Sequence, residues 1–220
     1  MNIKKLIRLD FYTMKPLANI MMLFLIVPVI LGLVADEGMS IMVTMTFVVF
    51  MLNVVFAISE KSHFNKLYGI LPIKRSQSVI SRYLFSLIIL GMTALFSFLI
   101  YCLLSLVQNG SIHWLHGFSF LILSSTISIF FISIQYPFYF HFEYSKATMM
   151  SILPYIITFA IGAPLLSYLM KRSEFYQFCM EAITYFQSNP LILLFTGIGV
   201  SFFLILVSYL LSIKFQKTEF

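Results

Sequence analysis

Charge is scarce in this chain. Of 220 residues, 14 are Lys or Arg and 8 are Asp or Glu, 10% in all, while 60% are apolar and 17% aromatic. A soluble domain carries about 25% charged residues, so the solvent for most of this chain is lipid, as its mean hydropathy of +0.98 also implies. An ordinary globular enzyme is excluded. Cysteine is nearly missing too: Cys102 and Cys179 form no CxxC pair and fall at different depths, which argues against a disulfide. No GxxxxGK[ST] run occurs, so the chain has no P-loop for a nucleotide's phosphates. Gly117-Phe118-Ser119 lacks the second glycine of a nucleophile elbow.

What is there instead is a set of long apolar runs. A helix rising about 1.5 Å per residue needs about 20 apolar residues to cross about 30 Å of hydrocarbon. Six stretches qualify: 17–35, 41–58, 84–107, 118–140, 149–170 and 190–213. None contains Asp, Glu, Lys, Arg or His. The expected fold is therefore an all-α integral membrane protein, one membrane domain over 1–220 with no soluble domain attached. The first run is too long for a signal-peptide core and no small-x-small cleavage site follows it, so it reads as a retained helix.

Orientation follows from the cations. The segments 1–16, 59–83, 141–148 and 214–220 hold twelve of the 14 Lys and Arg, whereas 36–40, 108–117 and 171–189 hold only Lys171 and Arg172. By the positive-inside rule both termini face the cytoplasm of a multi-pass cell-membrane protein. The formal charge of +6 thus records topology. Nucleic acid is not an expected partner, because the cations form no continuous basic face.

Chemistry inside the bilayer needs ionisable residues there despite their cost, and the six runs have none. No metal or cofactor is expected in this chain. His113 and His116, three apart in an outer loop, lack a third ligand nearby. The polar residues within the runs include Asn53 and Gln135, which either bond between helices or touch cargo. Gly197 with Ser201, Ser208 with Ser212 and Ser124 with Ser128 place small residues four apart, where helices approach closely. Pro154, Gly162 and Pro164 make the fifth run the candidate hinge.

Two segments outside the runs carry information. Residues 2–15 place Ile3, Leu6, Ile7 and Met14 on one helical face and Lys4, Arg8 and Lys15 on another, the pattern of an interfacial helix with its apolar side in lipid. In the 59–83 loop, Phe64, Leu67, Tyr68 and Leu71 recur at helical spacing, with Ser62 as N-cap and Pro72 as stop. That short helix either lies on the membrane surface or docks in a groove of a soluble partner.

Glu60 after the second run, the short helix, and Leu71-Pro72-Ile73-Lys74-Arg75-Ser76 leading through Val79, Ser81, Arg82 and Tyr83 into the third run resemble the first cytoplasmic loop of ABC-2-type exporter permeases. The resemblance extends to the small Gram-positive kind with six spans and no fused ATPase, including permease subunits of staphylococcal phenol-soluble modulin exporters. It implies a type V exporter-like complex of two ABC ATPase subunits and two permeases, homo- or heterodimeric, with ATP and Mg²⁺ held by the ATPase. It also implies that Glu60, Phe64, Asn65, Lys66, Leu67, Tyr68, Gly69, Leu71, Pro72, Lys74 and Arg75 form the ATPase-coupling element, that 171–189 is an outer re-entrant loop, and that the cargo is amphipathic peptide. The residues alone leave two other classes open: a non-transporting immunity, assembly or sensor protein, and an intramembrane hydrolase whose catalytic set is missing from the runs.

Overall fold

The computed structural model describes residues 3–15, 26–34, 36–61, 75–142 and 144–215. Its elements in chain order are α1 (Ile3–Met14), α2 (Ile26–Val34), α3 (Glu37–Lys61), α4 (Arg75–Asn109), α5 (Trp114–His141), α6 (Tyr144–Ile156), a π-helical turn (Ile157–Gly162), α7 (Ala163–Leu169), α8 (Ser173–Ser188) and α9 (Pro190–Phe215). The described residues hold five stretches long and apolar enough to cross a membrane: α3 to Ile58, α4 from Ser76, α5, the Tyr144–Leu169 segment, and α9. Of the run 17–35 only α2 lies mostly within the described residues, so the first span falls largely outside them.

Between helices in lipid, association rests on close packing and hydrogen bonds, because the tails are as apolar as leucine. α3 is the pillar of the bundle. Of its apolar stretch 56% is buried, against 12% for Tyr144–Leu169 and 11% for α9. Its buried row, Ile41, Met45, Val48, Val49, Leu52 and Val55, follows helical spacing and packs against α2, α4 and α5. Outward, α4 and α9 present Leu95, Leu99, Leu103, Phe202 and Phe203, all exposed, as lipid-facing side chains must be.

The small-residue rows lie where helices meet. α9 runs along α5, its most extensive neighbour; a Cβ on Gly197 would stand 2.8 Å from Ile122 Cγ2, so only glycine allows this approach. Further along the same face, Ser208 Oγ donates to the Ser133 carbonyl at 2.6 Å, and the Tyr83 hydroxyl pairs with both Ser208 and Ser212. Three helices are tied there by hydroxyls alone. Asn53 Nδ2 donates to Gln135 Oε1 at 3.0 Å, and Gln135 Nε2 reaches the Ser151 carbonyl at 3.4 Å. The two amides thus meet each other, with α3, α5 and α6 joined through them.

Two boundaries differ from the sequence expectation. α4 has 35 residues, about 52 Å at about 1.5 Å each, longer than about 30 Å of hydrocarbon. Residues 75–83, taken as loop, are its first turns, and α3 extends to Lys61. In the fifth run the helix passes through the π turn between Pro154 and Pro164. Each proline removes one backbone donor, and widening the turn re-satisfies the freed groups; Thr158 Oγ1 adds a bond to the Pro154 carbonyl at 2.7 Å.

Candidate functional site

The end of the bundle from which the 62–74 segment emerges carries its most concentrated polar contact. Asp10 of α1 and Arg82 of α4 are both buried, with Arg82 Nη1 3.2 Å from Asp10 Oδ1. The contact is one of charge to charge, without the alignment of a hydrogen bond. Burial pushes the Asp10 carboxyl above the ordinary carboxylate range, and the Arg82 charge pulls it back part of the way. Arg82 also lies over the Phe56 ring of α3, 5.1 Å from its centroid.

Aromatic rings enclose this pair. Phe56 meets Tyr136 edge-on at 5.1 Å and stacks on Tyr139 at 4.8 Å, Tyr83 meets Tyr136 at 5.0 Å, and Phe11 of α1 meets Phe85 of α4 at 5.0 Å. Phe56 sits on the helix that leads into the 62–74 segment, and Arg82 on the helix that leaves it. Both arms of the segment, together with α1, therefore close on one joint, which α5 backs with Tyr136 and Tyr139.

This joint adds to the reading of the first helix. Its inward stripe is Leu6, Asp10 and Met14, all buried, and it packs on α4 and α3, while Ile3 and Ile7 are half-buried. The physical reason for that packing is Asp10. An acid on the apolar stripe is costly against lipid and is answered by Arg82, which had been counted among the loop cations. The signal was present as one acid interrupting an i, i+4, i+8 apolar row, but its partner lies more than seventy residues away.

Among the residues expected to couple to a partner, Glu60 lies in the last turn of α3 and Arg75 opens α4. Phe64, Asn65, Lys66, Leu67, Tyr68, Gly69, Leu71, Pro72 and Lys74 lie outside the described residues. Asn53 and Gln135 stand deeper in the bundle, bonded to each other, while Pro154, Gly162 and Pro164 flank the π turn. Among the described residues no group of three His, Cys, Asp or Glu is placed to hold a metal.

The chain matches the family described as ABC-2 family transporter protein over residues 5–217. It belongs to that family. No curated protein and no solved structure matches it. Proteins of the ABC-2 family are the multi-pass transmembrane components of ABC transporters, and such permeases typically work with an ABC ATPase. The joint at Asp10, Phe56 and Arg82 is thus the described part of this ABC-2 protein that adjoins the segment expected to meet that partner.

Proposed function

We propose that the chain is the permease subunit of an ATP-driven exporter, a six-span protein of a Gram-positive cell membrane with both termini in the cytoplasm. Two such subunits, identical or different, pair with two ABC ATPase subunits that hold ATP and Mg²⁺. Closure of the ATPases pushes on the 62–74 segment, and the joint passes that displacement into the bundle. Arg82 carries it to α1 through Asp10 and to α3 through Phe56, and Tyr83 and Tyr136 carry it to α9 and α5. A packed joint moves as a unit, so rigid helices rock between two arrangements instead of deforming locally. The π turn between Pro154 and Pro164 is the point about which this little-buried span yields.

The cargo in this reading is amphipathic peptide of the phenol-soluble modulin kind, and export of such cytolytic or antimicrobial peptides confers resistance on the cell. With 25 Phe, 12 Tyr and 13 Met, the bundle offers adaptable apolar surface. The observation that carries the proposal is the convergence of both arms of the segment and α1 on one buried ion pair. The test is Leu67→Asp with Tyr68→Asp in the intact complex. Expected are loss of ATPase co-purification or of cargo-stimulated hydrolysis, and loss of peptide efflux, with the permease still inserted. Unchanged hydrolysis and efflux, or a tagged chain that brings down no ATPase, would overturn it.

A further inference from the structure

The opposite end of the bundle holds a second buried acid in a different setting. Glu37, in the first turn of α3, is 7% exposed. Asn109 Nδ2 donates to its Oε1 at 3.0 Å, and Ser105 Oγ lies 3.3 Å from the same oxygen. Oε2 accepts no hydrogen bond from the described residues, and no cation stands within ion-pair distance of the carboxylate among them. Glu37 lines a cleft of about 620 Å³ together with His113, Trp114, His116, Ser119 and Phe120. The cleft's other lining is largely aromatic: the His116 and Phe120 rings lie 4.7 Å apart, and Trp114 is 55% exposed. Among the described residues neither Lys nor Arg lines it, and a second acid, Asp36, lies 3.5 Å from His116 Nε2.

The cleft's walls are held in place. Tyr101 donates its hydroxyl to the His113 carbonyl at 2.8 Å, and a Cβ on Gly117 would stand 2.4 Å from Tyr101 Cε1. Only glycine at that position lets α4 and α5 close behind the cleft.

We propose that this cleft binds an organic cation, an ammonium or guanidinium group carried on an apolar body. The free carboxylate oxygen accepts the charged group's hydrogen bonds, and the Trp114, His116 and Phe120 faces cover the adjoining apolar atoms. An anionic ligand would be set against the Glu37 carboxylate, and a purely apolar one would leave the second carboxylate oxygen without a partner. Resting on the export reading, the bearer of this group is the lysine side chain or amino terminus of an amphipathic cargo peptide as it leaves the bundle. The binding itself requires no ATPase.

Trp114 is the chain's single tryptophan, so its fluorescence reports on the cleft. The experiment titrates the full-length chain, in neutral maltoside micelles, with n-butylammonium and with n-butanol, which share an apolar body and differ in charge. Expected is a saturable Trp114 response to butylammonium alone, weakened at least fivefold in Glu37→Gln. Equal responses to the two probes, no response to either, or an undiminished response in Glu37→Gln would overturn the proposal. Should Glu37→Gln fail to fold, the comparison of the two probes on the unmodified chain still decides. Binding with no effect of Glu37→Gln on efflux removes only the link to cargo, whereas loss of export after Leu67→Asp and Tyr68→Asp with binding intact bears on the export reading alone.

Discussion

Asp10 and Glu37 are both buried acids near the ends of the bundle, and they are treated in opposite ways. Asp10 faces a guanidinium at 3.2 Å inside a shell of aromatic rings. Glu37 is held on one oxygen by the neutral groups of Asn109 and Ser105, and borders open space. A charge answered within the protein makes a joint, because separating its members exposes both to a low dielectric. A charge answered only by neutral donors keeps its field available to something arriving from outside. The same residue chemistry thus serves cohesion at one end and recognition at the other.

The sharpest way to break this contrast is at the joint. Asp10→Ala removes the Asp10 carboxylate from the buried Arg82 guanidinium, and breaking a buried pair from one side costs about 3–5 kcal/mol. A large drop in the thermal unfolding midpoint of the detergent-solubilised chain is expected. Asp10→Ala combined with Arg82→Met should recover part of that loss, since the buried guanidinium is gone as well. A loss of only about 0–1 kcal/mol in the single variant is what exposed pairs give, and would reduce the joint to a surface contact.

At the other end, Gly117→Ala forces a methyl against the Tyr101 ring. Overpacking of this kind costs about 1–3 kcal/mol. Because Tyr101 also holds the His113 carbonyl, the Trp114 response to butylammonium should fall in the same variant. Stability loss with an unchanged response would mean that the cleft's shape does not depend on this wall.

Between the two ends, Asn53 and Gln135 supply a neutral standard. Asn53→Ala removes the 3.0 Å bond that joins α3 to α5, and interhelical hydrogen bonds in membranes contribute about 0.5–2 kcal/mol. Its thermal shift should fall well below that of Asp10→Ala. If the two match, the ionic character of the joint adds nothing to its cohesion.

Five of the six expected spans were legible in the sequence because lipid imposes a length and forbids charge, so uninterrupted runs such as 84–107 and 190–213 announce themselves. An irregularity in the fifth run was legible from Pro154 and Pro164, since each must lose a backbone bond, although nothing in the spacing specified a π turn. The partners of the buried acids were not legible. Ser105 and Asn109 stand 68 and 72 residues from Glu37, and Arg82 is similarly remote from Asp10. Such pairings depend on which helices become neighbours, and that is set by packing surfaces spread over whole helices, not by any local pattern. Counting cations by side took in Arg82 and hid its role, because a topology rule treats every cation near a span as solvated.

Glu37→Gln carries the smallest expected change in stability and the clearest information. The amide oxygen of Gln keeps an acceptor for Asn109 and Ser105, the side-chain volume is almost unchanged, and only the charge is lost. If that charge is not answered inside the protein, its removal should cost no more than about 1 kcal/mol, the contribution of a neutral hydrogen bond, while the butylammonium response falls severalfold. If Glu37→Gln instead unfolds the chain as Asp10→Ala does, the carboxylate is part of an internal pairing like that at the joint. The two ends would then obey one rule, and the cleft would lose its only reason to attract a cation.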